Sequence, residues 1–173
     1  MLPHVNLRLS VPLVILFVLL WAGVVILFWQ VGPAQREAVK FAAEFLGGAA
    51  AIYALFLNVQ AARNAAARRF IERWTDPTFA AHRKAISDMV EKGDLGPSPD
   101  RQALLAILNF WEEIAVAVLW HEADEDLLQD FFYSAVIKSF GVTEGWIKKE
   151  RVARNQPSGY IRFENLYNRW RSK

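Results

Sequence analysis

The chain has 173 residues, 54% of them hydrophobic, and a formal net charge of +2 at pH 7. That length suits one soluble domain, or a membrane anchor joined to a small domain. The absence of cysteine excludes disulfides, Cys-ligated metal sites and a thiol nucleophile, and with only three histidines no metal or other cofactor is predicted.

The first element is an apolar run over residues 9–29, LSVPLVILFVLLWAGVVILFW, which contains no charged side chain. Its length matches the roughly 20 residues that a helix needs to cross a bilayer. A cleaved signal peptide is the alternative. The run is long for such a segment, however, and no clear small-x-small cleavage site precedes Pro33. We therefore interpret it as an uncleaved first span.

A second apolar run occupies residues 41–62 and is interrupted by Glu44. Pro33 is well placed for the first turn of this helix, so the connection between the spans is short. Small residues recur here at a spacing that permits close approach of another helix, and Ala22 and Gly23 of the first span could face them. The predicted packing residues of the second span are Ala43, Gly47, Ala50 and Ala54.

Basic residues predict the orientation of this hairpin. Arg36 and Lys40 lie in the connection, whereas four arginines follow the second span, namely Arg63, Arg68, Arg69 and Arg73. The positive-inside rule therefore predicts a bacterial inner-membrane protein with both termini in the cytoplasm and these arginines at the anionic membrane surface. The predicted domains are two transmembrane helices in 1–63, a basic helix continuing the second span in 64–75, and a cytoplasmic helical domain in 76–173.

The cytoplasmic domain begins with a helix that Asp76 caps and Gly93 ends, and a loop follows over 93–100. The next helix, 100–122, is apolar enough to suggest a third span. Glu112 and Glu113 at its centre would each cost roughly 2.5–3.5 kcal/mol in a membrane, so it is interpreted as the central helix of a soluble bundle.

Three further helices are predicted. Asp124 caps the first and Gly141 ends it, Thr143 caps the second, and the last is amphipathic and follows a break at 155–159. No segment alternates with the period of a strand. The predicted class is all-α, a two-helix transmembrane hairpin followed by a small cytoplasmic helical bundle.

Three stretches of the domain carry a family resemblance: RFIERWTDPTF, LLAILNFWEEIAVAVLWHEADEDLLQDFF and GYIRFENLYNRW. They resemble the bacterial family called domain of unknown function 4760, with N-F-x-E-x-I-A as the central pattern. The resemblance covers about half of the chain. It implies N-terminal membrane helices before a small helical domain, and it implies neither an activity nor catalytic residues.

Glu44 is the most prominent candidate in the membrane, because an ionisable group in an apolar span often serves a pore or a proton relay. It lies about one helical turn inside the outer boundary, however. Lys40 is four residues earlier and within reach of a salt bridge. We favour an interfacial ion pair over a pore.

In the domain, the polar candidates are Asn109, Glu112 and Glu113 on the central helix. Asn109 and Glu113 share a face, and Glu112 could meet an arginine of a neighbouring helix as a structural pair. The sequence HEADED (121–126) lacks the second histidine of a zinc protease, and its acids suit the first turn of the following helix. No phosphate-binding, dinucleotide-binding, serine-hydrolase or HEPN nuclease motif occurs, so neither an enzyme nor a small-molecule substrate is predicted.

Charge is unevenly distributed along the domain. Residues 100–135 carry eight acids and one base, and residues 138–173 carry nine bases and three acids. These segments could attract each other within one domain or between copies, or could simply be solvated faces. The basic segments lack the spacing of a nucleic-acid motif, so contact with protein or membrane is favoured over nucleic acid.

The leading hypothesis is a non-enzymatic inner-membrane protein whose cytoplasmic bundle self-associates or docks a protein partner. The second is an oligomeric pore or membrane-perturbing effector of the defence type. The third is an accessory subunit of a larger membrane complex. An enzyme comes last, and would need a concave site that gathers Asn109, Glu113 and His121.

Overall fold

A computed structural model describes residues 7–30, 32–93, 95 and 100–172. This described part is all-helical, with 88% of it in helices and no strand, which confirms the predicted all-α class. Two stretches of the predicted first domain, 1–6 and residue 31, lie outside the described residues, as does most of the predicted loop.

Six helices follow one another along the described chain, and they form two compact units, Met1–Leu57 and Asn58–Lys173. The helices are α1 (Leu7–Gln30), α2 (Pro33–Thr75), α3 (Ala80–Lys92), α4 (Arg101–Leu119), α5 (Glu125–Ala153) and α6 (Ile161–Arg171). Helix α2 is 43 residues long and unbroken. Its first part belongs to the first unit, and its last part, from Asn58 onward, belongs to the second.

Two helices of the described chain are long and apolar enough to cross a membrane by length and composition, Gln35–Thr75 and Arg101–Leu119. A shorter apolar helix covers Val18–Gln30. None of the apolar window in α2 is buried, whereas 56% of the window in α4 is buried. This burial supports the interpretation of α4 as a core helix.

The core of the second unit is built around α4, which contacts α3 and α6, while α5 contacts the same two helices. Apolar residues recur along α4 with helical spacing on more than one side, because the helix has neighbours around much of its circumference. The largest fully buried side chains of the core are Trp111, Trp170, Phe110, Phe132 and Phe163.

Local signals begin or end several helices where the sequence predicts. Asp76 caps a 3₁₀ turn, Pro77–Phe79, that leads directly into α3, and its carboxylate accepts hydrogen bonds from the hydroxyl and the backbone N–H of Thr78, which lower the pKa of that carboxyl. Gly93 ends α3 with φ of 75°, in the left-handed region that glycine adopts without strain. Asp124 Oδ1 accepts from the backbone N–H of Leu127 and caps α5. These three predictions are confirmed.

Two predictions within α5 are wrong. Gly141 does not end a helix and Thr143 does not cap one, because α5 runs unbroken from Glu125 to Ala153. The Thr143 hydroxyl is buried and donates to the carbonyl oxygen of Ser139 at 2.7 Å, so it is satisfied inside the helix. Phe140 and Ile147 are buried on either side, and their packing outweighs the cost of about 1 kcal/mol for an interior glycine.

Candidate functional site

In the first unit, the predicted small residues of α2 lie beside α1. Ala43 and Ala50 line a cavity of about 320 Å³ together with Trp21 and Val24 of α1. A Cβ atom built on Gly47 would lie 4.0 Å from Cζ2 of Trp21, an ordinary van der Waals contact. The small-residue face of α2 therefore accommodates the bulky indole of Trp21.

The structure does not bring Ala22 and Gly23 to that face. Nothing lies within 4 Å of a Cβ built on Gly23, and both residues are exposed, as is Ala54 of α2. The contact between the two helices is thus bulky on the α1 side and small on the α2 side. It is not small against small, as the sequence pattern suggested.

Lys40 and Glu44 line a larger cavity of about 580 Å³ between the two helices, whose other walls include Trp21, Phe28 and Gly47. Both side chains are exposed. Within the described chain no ion pair joins Lys40 to Glu44, although their spacing permits one. The wall of this mainly apolar groove therefore includes one acidic and one basic side chain.

In the second unit, the last part of α2 packs into the bundle core. Ala67 is fully buried, and the Trp74 ring lies 5.0 Å from Trp111 and 5.3 Å from Phe110 between centroids. It also meets Phe132 edge-on at 5.7 Å. Aromatic contacts of this kind add about 0.5–1.5 kcal/mol each to the burial of the rings. One helix therefore exposes apolar side chains over residues 41–59 and embeds its other end in a core.

The four predicted surface arginines have different environments. Arg73 forms an ion pair with Glu113, and its guanidinium lies 5.4 Å from the centroid of the Phe110 ring. Arg63 is half-buried, whereas Arg68 and Arg69 are exposed. All four predicted basic positions are thus at least partly accessible, and Arg73 additionally ties α2 to α4.

Glu112 reaches the beginning of α6. Its carboxylate accepts hydrogen bonds from the backbone N–H of Phe163 at 2.8 Å and of Arg162 at 3.3 Å. These N–H groups have no partner within their own helix, and a carboxylate also suits the positive end of the helix dipole. Glu112 is therefore structural, as the sequence suggested, but its partner is a helix terminus and not an arginine side chain.

A polar cleft of about 170 Å³ lies beside this contact. Its lining includes Asn109, Glu112 and Tyr160, and also Glu150, Arg151 and Arg154. Arg151 pairs with Glu164, and Glu150 pairs with Arg101 and Arg154. Burial raises the pKa of the Tyr160 hydroxyl. The cleft brings Asn109 together with Glu112. Glu113 and His121 do not line it, so this cleft does not gather Asn109, Glu113 and His121.

Two acids of HEADED, Asp124 and Glu125, hold the corner between α4 and α5. Asp124 contacts α2, because its carboxylate accepts from Nε2 of Gln60 at 2.8 Å and its backbone N–H donates to the Arg63 carbonyl oxygen at 3.2 Å. Glu125 pairs with Arg169 and accepts from Trp170 Nε1. No group of three or more potential metal ligands occurs within the residues that the structure describes.

These contacts also show how the charge asymmetry is used. Glu112 and Glu125, from the acidic segment, bind the two ends of α6, which belongs to the basic segment. Arg101 of the acidic segment pairs in turn with Glu150. The opposite charges are thus at least partly matched within one copy of the domain.

A family model described as Domain of unknown function (DUF4760) matches residues 41–170. The chain belongs to this family. The match covers about three quarters of the sequence, from the apolar part of α2 to Trp170 in α6. No curated protein and no solved structure matches the chain.

One feature of this DUF4760 chain is missed by sequence reasoning. Leu119, the last residue of α4, and Trp120, which follows it, are 43% and 66% exposed. Trp120 lies between the end of the helix and His121, where the chain turns with φ of 55°, so helical periodicity does not determine whether its side chain is buried.

Proposed function

We propose that this DUF4760 chain is a non-enzymatic protein of the bacterial inner membrane, anchored by α1 and α2, whose cytoplasmic bundle carries its self-association or docks a protein partner. The observation that carries the proposal is α2 itself. It is one uninterrupted helix from Pro33 to Thr75, apolar and exposed in its first part and embedded in an aromatic core in its last.

The anchor is supported by the exposure of large apolar side chains. Phe41 and Ile52 on α2 are 70% and 72% exposed, and Trp29 on α1 is 76% exposed. A water-soluble monomer rarely exposes contiguous apolar patches of more than a few hundred Å². A bilayer covers such a surface, and helices suit it because they satisfy their own backbone hydrogen bonds.

The orientation is supported by the arginines after the apolar part of α2. Arg68 and Arg69 are exposed and belong to the same unit as the bundle. The connection carries only Arg36 and Lys40. Cytoplasmic loops are richer in Lys and Arg than external ones, which favours a cytoplasmic bundle.

Association of copies through the anchor, in addition to the bundle, is favoured by the grooves between α1 and α2. Two cavities of about 580 and 320 Å³ separate the helices, and the larger one reaches Gly47 and Gly48, where a second helix can approach closely. We propose that a second copy of the chain occupies the groove, because each copy would present the same small residues to the other.

A pore is the second candidate function, and one observation favours it. Lys40 and Glu44 line the larger of these grooves instead of pairing with each other. In a ring of copies these side chains could line a polar path. A closed oligomer and a pore differ in whether ions cross the assembly.

The test is the mass of the intact chain after gentle detergent extraction, measured by light scattering with the detergent contribution subtracted. A defined multiple of 19.7 kDa supports self-association. Other chains at fixed stoichiometry would instead support a docked partner or a larger complex, and a bare monomer would contradict both. Liposome flux with Glu44→Gln then separates the candidates: flux lost in the variant supports the pore, and no flux in either protein rejects it.

A further inference from the structure

The α4–α5 corner, residues 119–124, is fixed against α2 within the second unit. The Asp124 side chain accepts from Gln60 while its backbone N–H donates to the carbonyl oxygen of Arg63. The same carboxylate caps α5 through Leu127. These bonds leave the corner little freedom to move away from residues 60–63.

Helix α4 runs antiparallel to the end of α2, and this determines where along α2 the corner lies. Glu113 pairs with Arg73, ten residues beyond Arg63, while Asp124 meets Gln60 and Arg63 themselves. Gln60 directly follows the exposed apolar stretch of α2, of which Phe56 and Val59 are 63% and 43% exposed. The corner therefore lies beside the boundary between the apolar and polar parts of α2.

Trp120 is the most exposed of the tryptophans that the structure describes in this unit. Trp111 and Trp170 are fully buried, whereas Trp120 is 66% exposed and Leu119 beside it is 43% exposed. Exposing an indole to water forgoes a large hydrophobic gain. Tryptophan is enriched at membrane–water interfaces, where its ring is dehydrated and its N–H still finds polar partners.

The charges around the corner permit an approach to a membrane surface. Asp124 of the corner and Glu125 next to it are engaged by Gln60 and Arg169, respectively. Glu122 and Asp126 are exposed, as are His121 on the corner itself and Arg68 and Arg69 on α2. Acids and bases are thus mixed around an apolar tip, so the apolar contact and not net charge must drive the interaction.

We propose that Leu119 and Trp120 insert into the headgroup region of the bilayer from which α2 emerges, as a second attachment of the bundle to the membrane. This inference rests on the proposed membrane anchor. We choose a lipid surface as the binding partner because the corner that carries Leu119 and Trp120 meets α2 at Gln60, where the apolar stretch of that helix ends. Two attachment points would restrict the tilt of the bundle about α2.

Depth measurements by site-directed spin labelling test this proposal. The chain has no cysteine, so one substitution gives one label. The full-length chain is reconstituted in liposomes of phosphatidylethanolamine and phosphatidylglycerol, with labels at Trp120→Cys, at Leu119→Cys and at two controls. Val152→Cys is an exposed apolar site near the far end of α5, and Tyr53→Cys is an exposed site within the apolar part of α2.

The ratio of collisions with oxygen to collisions with a water-soluble nickel complex rises with depth in the bilayer. We expect the ratios at 119 and 120 to be higher than at 152 and lower than at 53. A collision ratio typical of water at 119 and 120, together with a ratio typical of lipid at 53, would overturn the proposal and still support the anchor. Labels at 119 and 120 shielded from both reagents would overturn it in favour of a protein contact. An aqueous ratio at 53 would reject the anchor itself.

Discussion

Gln60 on α2 donates a hydrogen bond from Nε2 to Oδ2 of Asp124, 64 residues further along the chain, at 2.8 Å. The other carboxylate oxygen of Asp124 caps α5. A single side chain therefore links the helix that leaves the apolar segment to the beginning of the longest helix of the bundle. The α4–α5 corner depends on this link.

The first prediction concerns that link. Asp124→Ala removes both the cap and the contact with Gln60, and should destabilise the bundle by about 1–3 kcal/mol. Gln60→Ala removes the contact alone and should cost about 1 kcal/mol. Urea unfolding of the detergent-solubilised chain, followed by circular dichroism, measures both. Equal losses in the two variants would show that the cap contributes nothing.

The second prediction compares two adjacent glutamates. Glu112→Ala leaves the buried Phe163 backbone N–H without its acceptor, and should cost about 1–3 kcal/mol. Glu113→Ala breaks an ion pair between two side chains that are each about half exposed, and should cost less than about 1 kcal/mol. The same unfolding experiment provides the comparison. A larger loss for Glu113→Ala would contradict the assignment of Glu112 to the start of α6.

The third prediction concerns the packing of α1 on α2. Gly47→Leu places a side chain where Trp21 already lies in contact, and should separate the two helices. Gly23→Leu on α1 is the matched control, because nothing lies within 4 Å of its Cβ position and it lines neither groove. Spin labels at the exposed positions Leu27 and Ile52 report the separation by double electron–electron resonance. A distance distribution that is unchanged by Gly47→Leu would show that Trp21 does not pack there.

The fourth prediction concerns pH. Burial raises the pKa of the Tyr160 hydroxyl in the folded chain, so folding favours its neutral form. That contribution is fully present below the unfolded pKa, near 10, and is lost as the pH rises through the higher folded value. Above about pH 10 the wild-type chain should therefore lose stability relative to Tyr160→Phe. Unfolding free energies measured across that range test this, and parallel curves would contradict it.

The sequence predicts the local features of the fold and misses those that depend on distant partners. Asp76 and Asp124 begin helices and Gly93 ends one through contacts with their own neighbours, so their residue types suffice. Gly141 misleads because core packing carries α5 through a residue that locally favours a helix end. The helix continues through Gly141 against the local preference of glycine, at a cost in free energy that only tertiary packing offsets.

The candidate site divides in the same way. The apolar segment of α2 and its arginines are visible in composition, and so is the amphipathic character of α4. The partner of Glu112 is not, because the α6 terminus lies 51 residues away and periodicity fixes no register between helices. Trp120 is missed for a related reason. Periodicity alone does not assign it to a buried or an exposed face, because its exposure depends on where α4 ends against α2.

The measurement that tests the central claim most directly is the reactivity of single cysteines along α2 toward a water-soluble maleimide in intact liposomes. Ile52 is exposed on the apolar part, Ala67 is buried in the bundle, and Arg68 beside it is exposed. We predict that Arg68→Cys reacts, that Ala67→Cys reacts only after urea unfolds the bundle, and that Ile52→Cys stays protected until detergent dissolves the bilayer. Reaction of Ile52→Cys in intact liposomes as fast as that of Arg68→Cys would contradict the membrane anchor.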